Sequence, residues 1–210
     1  MTEGQIINKT QQRYNRIAGF YDVLEAPMEL FFSKWRKVLL AEARGETLEI
    51  GMGTGKNLPF YPRDVKLTGI DFSPKMVEIA NNKLKKNPRP NTRILRMDAE
   101  QLQFEDNTFD TVVASCVFCS VPDAVKGLKE IKRVTKTEGT LLMLEHVRSN
   151  NKTTGKFMDM INPVSQFILG EDINRRTYNN LIEAGFNPEN IQIEDIWLDI
   201  VKLIRIKQQN

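Results

Sequence analysis

One histidine, two cysteines and two tryptophans in 210 residues make this chain poor in the side chains that carry metal and redox chemistry. A structural zinc site needs four ligands, and His146 with Cys116 and Cys119 cannot supply them, so no metal is expected. The cysteines form C-x-x-C without the strand pattern of a thioredoxin-type pair, and two small apolar side chains at a packed strand end are the plainer reading. No apolar run approaches the roughly 18 residues of a bilayer-spanning helix. The first ten residues are polar, so no signal peptide is expected and the cytoplasm is the default location. Charge of one sign is scarce as well. Thirty basic residues against 27 acidic ones leave +3, too little to argue for a nucleic-acid partner. Repeats, low-complexity tracts and long linkers are absent.

An apolar content of 40% and a charged content of 27% suit a soluble globule, and the length suits one domain rather than two. Within it, Thr47-Leu48-Glu49-Ile50 runs directly into Gly51-Met52-Gly53-Thr54-Gly55. A second apolar run, 65–70, ends in Asp71, which stands 71 − 51 = 20 residues beyond the first glycine. Strand, bare-backbone turn, helix, strand and terminal acid describe a mononucleotide site. The glycines let backbone approach a ligand, and the acid accepts hydrogen bonds from a ribose diol. A dinucleotide fingerprint would need glycine at position 56, where the chain has Lys56.

The periodicity predicts helices over 9–22 and 27–43, the second with Met28, Phe31, Phe32, Trp35, Val38 and Leu39 on one side. Strands are expected near 46–50, 65–70, 93–97, 110–116 and 140–146. Between them lie a helix over 73–86, with Ser73 as N-cap and Pro74 in its first turn, and a helix over 122–136 followed by Gly139. Lys83, Lys85, Lys86 and Arg89 read as a solvated helix end. Residues 149–171 read as a looser segment before a helix over 173–184 closed by Gly185. Two last strands, 190–197 and 199–206, are joined too tightly to be parallel neighbours.

Glu49 through Gly55 resembles the first motif of the class I S-adenosylmethionine-dependent methyltransferases. The strand ending in Asp98-Ala99-Glu100 and the run Phe109 to Ser115 are similar to the family's third and fourth strands, so ordered matches cover 46–146. The resemblance implies an α/β fold: a Rossmann-like, seven-stranded, mostly parallel sheet with one antiparallel strand, helices on both faces and an N-terminal helical cap. One domain would then comprise that cap (1–44), a cofactor-binding core (45–148) and an acceptor-side cap with the closing strands (149–210). It implies S-adenosyl-L-methionine as cofactor, with Gly51, Gly53 and Gly55 under its methionine part and Glu49 near its amino group. Asp71 would meet the ribose and Asp98 the adenine, with Phe72 and Ala99 also at the cofactor. Met76 would pack on the ring, or belong to helix core, and Ser115 and Cys116 would line the pocket.

Tyr14-x-x-x-Ala18-x-x-Tyr21-Asp22 resembles the entry helix of methyltransferases acting on quinones and phospholipid head groups, where aromatic residues close over the donor. Val117 to Asp123 and Glu145 to Arg148 are similar to a subgroup of bacterial phospholipid N-methyltransferases and membrane-associated thiol methyltransferases. Asn162-Pro163 and Asn174-Arg175 resemble that subgroup's C-terminal cap. The chain departs from it at Gly170-Glu171-Asp172, where Gly-Cys-His is expected. His146 either orients or deprotonates an acceptor, or is a strand-end histidine bonded to backbone. Phe157, Met158, Met160 and Ile161, with Val164, Phe167, Ile168 and Leu169, either wall an acceptor pocket or pack in the core.

The resemblance points to a small-molecule or lipid-like acceptor, with phosphatidylethanolamine-type amines ahead of alkyl thiols and quinol ring carbons. A cofactor-binding sensor without transferase activity is the alternative of another class. Nucleobase amines are disfavoured, because no Asn/Asp-Pro-Pro-Tyr/Phe follows the fourth strand. The helix over 27–43, with Lys34, Arg36 and Lys37, either makes a peripheral membrane contact or packs on the sheet. The oligomeric state stays open.

Overall fold

A computed structural model describes residues 11–24, 26–168 and 172–209. Seven strands form one sheet: β1 (Glu46–Ile50), β2 (Lys66–Asp71), β3 (Thr92–Arg96), β4 (Phe109–Ser115), β5 (Thr135–His146), β6 (Ile191–Trp197) and β7 (Val201–Lys207). Their spatial order is β3-β2-β1-β4-β5-β7-β6. The first five pair with one another in parallel, and β7 runs antiparallel to both β5 and β6. This is the sheet expected from the sequence. The order reverses beside β1, so β1 and β4 diverge into a crevice at their carboxyl ends.

Alternation along the strands buries two different faces. Leu48, Ile50, Val112, Ala114, Leu141 and Met143 face α5 (Ala124–Val134) and α7 (Thr177–Glu183). Val113, Leu142, Leu144 and Leu203 face α3 (Ala26–Leu40) and α4 (Pro74–Lys86). Each such side chain contributes about 1.5–3 kcal/mol when fully buried, so slipping a strand by one residue would exchange the two cores at prohibitive cost. Ser73 caps α4 by accepting from the Met76 N–H at 3.2 Å, and Pro74 follows it, both as the sequence predicts. Gly185, with φ 88°, stands just past α7.

Several boundaries differ from expectation. The entry helix is two pieces, α1 (residues 11–17) and α2 (Tyr21–Leu24), with a turn at 18–20; positions 9 and 10 lie outside the described residues. Strand β5 begins at Thr135 rather than 140, because a bulge between Phe109 and Thr111 lets the chain pair again straight after α5. Gly139 therefore lies within β5. The largest difference is α6 (Lys152–Ile168), which replaces the looser segment. Gly155 and Pro163 broke its pattern in the sequence. In the fold, Gly155 is needed because a Cβ there would come within 2.6 Å of the Ser149 carbonyl oxygen. Asn151 caps the helix by accepting from the Thr153 and Thr154 N–H groups at 3.0 and 3.2 Å. Gly170 and Glu171 lie outside the described residues, as do the side chains of Met28 and Phe31.

Candidate cofactor site

The carboxyl ends of β1, β2 and β4 and the segment after β3, together with α1, bound a cleft of about 820 Å³, part of it open to solvent. Its floor is the loop after β1. Gly53 lines the cleft with φ 58°, and a Cβ built on it would meet nothing within 4 Å, so bare backbone faces open space. Gly55 has φ 79° but does not line the cleft; a Cβ there would lie 2.8 Å from Leu58 Cδ1. Gly51 lines the cleft and leaves room for Val117.

Asp71 ends β2 at the cleft wall. Its two oxygens each accept one backbone hydrogen bond at 2.8 Å, from Gly53 and from Ser73, which fixes the carboxylate against the glycine loop. Burial pushes its pKa up, opposed by those two N–H groups. Each oxygen keeps a second lone pair, so a diol can still be bound. Phe72, Met76, Met97 and Ala99 give the next part of the cleft an apolar wall, with Asp98 and Glu100 beside it. Glu100 accepts the Asp123 N–H at 2.9 Å, joining this wall to the start of α5.

Cys116 lines the opposite side in a left-handed conformation (φ 56°), directly after β4. A non-glycine residue held there is a strained backbone position at the cleft edge. The loop beyond it is set by Glu145, whose buried carboxylate accepts from the Val117 and Phe118 N–H groups at 3.2 and 3.4 Å.

Tyr14 and Tyr21 close the cleft from above, their ring centroids 6.3 Å apart. The cap is tied down by contacts that the sequence did not predict. Asn15 accepts from the Ser73 hydroxyl at 2.7 Å, so one serine both caps α4 and holds α1. Asp22 accepts from Thr54 of the glycine loop and from Lys83 of α4, both at 2.6 Å. Burial opposes ionisation of Asp22, but the Lys83 and Thr54 hydrogen bonds prevail and hold its carboxyl below the usual range. Lys83 is thus part of a latch rather than a solvated helix end. Arg89 likewise donates to the carbonyls of Leu58, Tyr61 and Pro62.

Besides Gly55, three expected site residues stand elsewhere. Glu49 is buried behind the glycine loop and accepts from the Asn57 amide at 2.7 Å. Ser115 accepts from Arg36 at 2.8 Å and so faces α3. His146 does not line the cleft, and burial lowers its pKa. The described acceptor-wall candidates also miss it: Phe157, Met160 and Val164 are exposed and Met158 is buried on the inner face of α6, while the side chains of Phe167, Ile168 and Leu169 lie outside the described residues. Of the described apolar side chains of α3, Phe32, Leu39 and Leu40 are buried against the sheet, Trp35 is partly buried beside them and Val38 is exposed.

Burial pushes the Glu49 carboxyl up to about 7, against the pull of the Asn57 amide, the Tyr61 hydroxyl and Arg36. A raised folded-state pKa means the native protein holds a proton that the unfolded chain releases. Stability is full below the unfolded value of 4.5 and falls as pH rises to about 7, by up to about 3 kcal/mol. Glu49→Gln is expected to flatten that slope and raise Tm at pH 8 relative to wild type, which thermal melts across this range will read.

The cleft fits S-adenosylmethionine: an open glycine floor, a fixed carboxylate for a diol, an apolar slot for a purine with acids at its edge, and aromatic rings above. The comparisons agree. Residues 48–143 match the family model described as a methyltransferase domain. The chain is 40% identical to a phosphatidylethanolamine N-methyltransferase of Cereibacter sphaeroides over 103 residues, 49% of this chain and about half (51%) of that relative. It is 33% identical to a demethylmenaquinone methyltransferase of Thermotoga maritima over 162 residues, 73% of this chain and 69% of the relative. The structure of phosphoethanolamine N-methyltransferase 2 of Haemonchus contortus, in complex with S-adenosyl-L-methionine, superposes with a TM-score of 0.68 over 84% of this chain and 53% of that one. At 15% identity that likeness shows the fold alone.

Proposed function

We propose, starting from the fact that this chain belongs to the class I S-adenosylmethionine-dependent methyltransferases, that it methylates the amine of a phosphatidylethanolamine-type lipid. S-adenosylmethionine supplies a methyl group already activated on a sulfonium. In this reading Asp71 holds the ribose, Asp98 and Ala99 the adenine edge, Met76 a ring face, and Gly53 the methionine part. The protein's remaining work is to align the acceptor in line with the methyl and exclude water, which supplies on the order of 7–11 kcal/mol.

The pair of tyrosine rings at the cleft mouth carries the choice of acceptor. A neutral amine becomes a cationic ammonium on methylation, so positive charge persists through the transfer; a thiolate or quinolate would neutralise it. Electron-rich ring faces stabilise a persistent cation. Lys56 stands 5.1 Å from the Tyr21 ring centroid, next to Asp22 at 3.9 Å, so a cation already rests on this aromatic pair. The identity to the Cereibacter protein supports the same acceptor.

The nitrogen loses its proton before attack, and general-base help is typically worth 10²–10⁴-fold. Because His146 does not line the cleft, His146→Asn is expected to lower kcat by less than about 10-fold; a loss of 100-fold would restore it as the base. The acceptor is tested by following label from methyl-labelled S-adenosylmethionine into phosphatidylethanolamine, alkyl thiols and reduced quinones offered separately. Label in the polar lipid supports the reading. Label in a quinol alone would move the chain to the side of its Thermotoga relative, and label in a thiol alone would also overturn it.

A further inference from the structure

Among the described residues, exposed large apolar side chains stand on the entry cap (Phe20, Val23), on α3 (Val38) and on α7 and β6 (Tyr178, Ile182, Ile193), and the largest group lies on α6 and the turn between β6 and β7. Helix α6 carries Phe157, Met160 and Val164 at 55, 68 and 57% exposure. At 100° per residue these three share an arc of about 60°, directly opposite the buried Met158 and Asn162. Lys152 and Lys156, also exposed, lie on the flank of the same stripe. The turn between β6 and β7 adds Trp197 at 51% and Leu198 at 70%. That turn is fastened to the start of α6, because Asp199 accepts from the Ser149 hydroxyl at 2.7 Å and the Asn150 N–H at 2.6 Å.

Both segments stand at the edge of the sheet that holds the cofactor cleft. Helix α6 follows the carboxyl end of β5, and Val201, just after the turn, pairs with His146 at that end. Asn162, on the inner face of α6, donates to Asp172 at 3.0 Å, and the Asp172 N–H donates to the Cys119 carbonyl beside the cleft at 2.8 Å. The outer face of α6 is therefore coupled to the cleft wall while pointing away from the core.

We propose that this face, Phe157, Met160 and Val164 with Lys152 and Lys156 and the Trp197-Leu198 tip, docks the protein on an anionic bilayer surface. Two features select a membrane over a second copy of this chain. Stable protein interfaces bury about 800 Å² per partner, more than one three-residue stripe and a turn tip present. An antiparallel two-fold pairing of the stripe would set Lys152 and Lys156 beside the apolar Val164 end of the second copy, whereas anionic head groups complement them. Apolar residues on one side of a helix with lysines at its margin are the pattern of an interfacial helix, inserted only to the head-group boundary. The proposal rests on the lipid-acceptor reading for its purpose, since docking here would bring head groups to the cleft mouth.

The test is co-sedimentation with phosphatidylcholine vesicles, with and without phosphatidylglycerol, for wild type, a Phe157→Ser/Met160→Ser/Val164→Ser variant and a Lys152→Ala/Lys156→Ala variant. Circular dichroism melts confirm folding, which exposed positions should leave intact. Wild type is expected to bind, more strongly with phosphatidylglycerol. The serine variant should partition at least about 10-fold more weakly, and the alanine variant should lose the phosphatidylglycerol dependence. Equal partition of wild type and serine variant, or no binding by wild type, would overturn the proposal. So would concentration-dependent dimerisation abolished by the serine variant. Methyl transfer to phosphatidylethanolamine in detergent micelles, where no surface need be found, is measured in parallel. Vesicle binding without micellar transfer defeats the acceptor reading alone, and micellar transfer without vesicle binding defeats the docking surface alone.

Discussion

Asp71→Asn is expected to weaken S-adenosylmethionine binding by about 100-fold while the protein stays folded. The carboxylate is pinned by one backbone N–H on each oxygen, and in the proposed site its remaining lone pairs accept from a ribose diol. Charge-assisted hydrogen bonds of this kind contribute about 1.5–3 kcal/mol each, and the amide replaces one acceptor oxygen with a donor that repels a hydroxyl hydrogen. Losing about 3 kcal/mol is roughly two decades in Kd. Isothermal titration with S-adenosylmethionine reads it directly. Because burial raises the pKa of Asp71, wild-type affinity should also fall as the solution is acidified toward that raised value, a fall the asparagine variant lacks. A variant within five-fold of wild type would remove Asp71 from the ribose.

Gly53→Ala and Gly55→Ala are expected to fail in opposite ways. Both glycines have positive φ, so each substitution carries about 1–2 kcal/mol of backbone strain. The new methyl at 53 meets no protein atom, so stability should fall by little more than that strain. It projects into the cleft where the cofactor's backbone contact would be, and affinity should drop at least about 100-fold, since a close-packed site cannot absorb a methyl there. The new methyl at 55 would sit 2.8 Å from Leu58 Cδ1 and 3.3 Å from the Ala80 Cβ. Gly55→Ala should therefore lose more Tm, while its folded fraction keeps the cofactor within about 10-fold of wild type. Melts and titrations on the two proteins side by side give both readings; the same profile for both would contradict the assignment of Gly53 alone to the cleft floor.

The sheet was legible because its signals are local. Short apolar runs ending at Gly51 and Asp71, Ser73-Pro74 before α4 and Gly185 after α7 each act within a few positions. The cleft's floor and wall, Gly53, Asp71 and Cys116, were legible for the same reason: they stand at strand ends, where the chain passes from sheet to loop. Helix α6 was not, because Gly155 and Pro163 lower helix propensity and the reason they are tolerated is tertiary, a close approach to the Ser149 carbonyl in one case. The latch was hidden by sequence distance. Asp22 and Lys83 are 61 residues apart, and a lysine among Lys85 and Lys86 gives no sign of its partner. Only the position of Asp22 directly after Tyr21, and of Thr54 between two loop glycines, hinted that either had work near the site. Glu49 was placed by family pattern at the cofactor, but its side chain turns inward to Asn57.

The most direct test of the whole account is mass spectrometry of phosphatidylethanolamine incubated in micelles with the purified protein and S-adenosylmethionine. The account predicts lipid heavier by successive methyl increments, fragmentation that places each on the head-group nitrogen, and loss of the product in Asp71→Asn at subsaturating cofactor. Unmodified lipid under conditions where titration shows S-adenosylmethionine bound would contradict it.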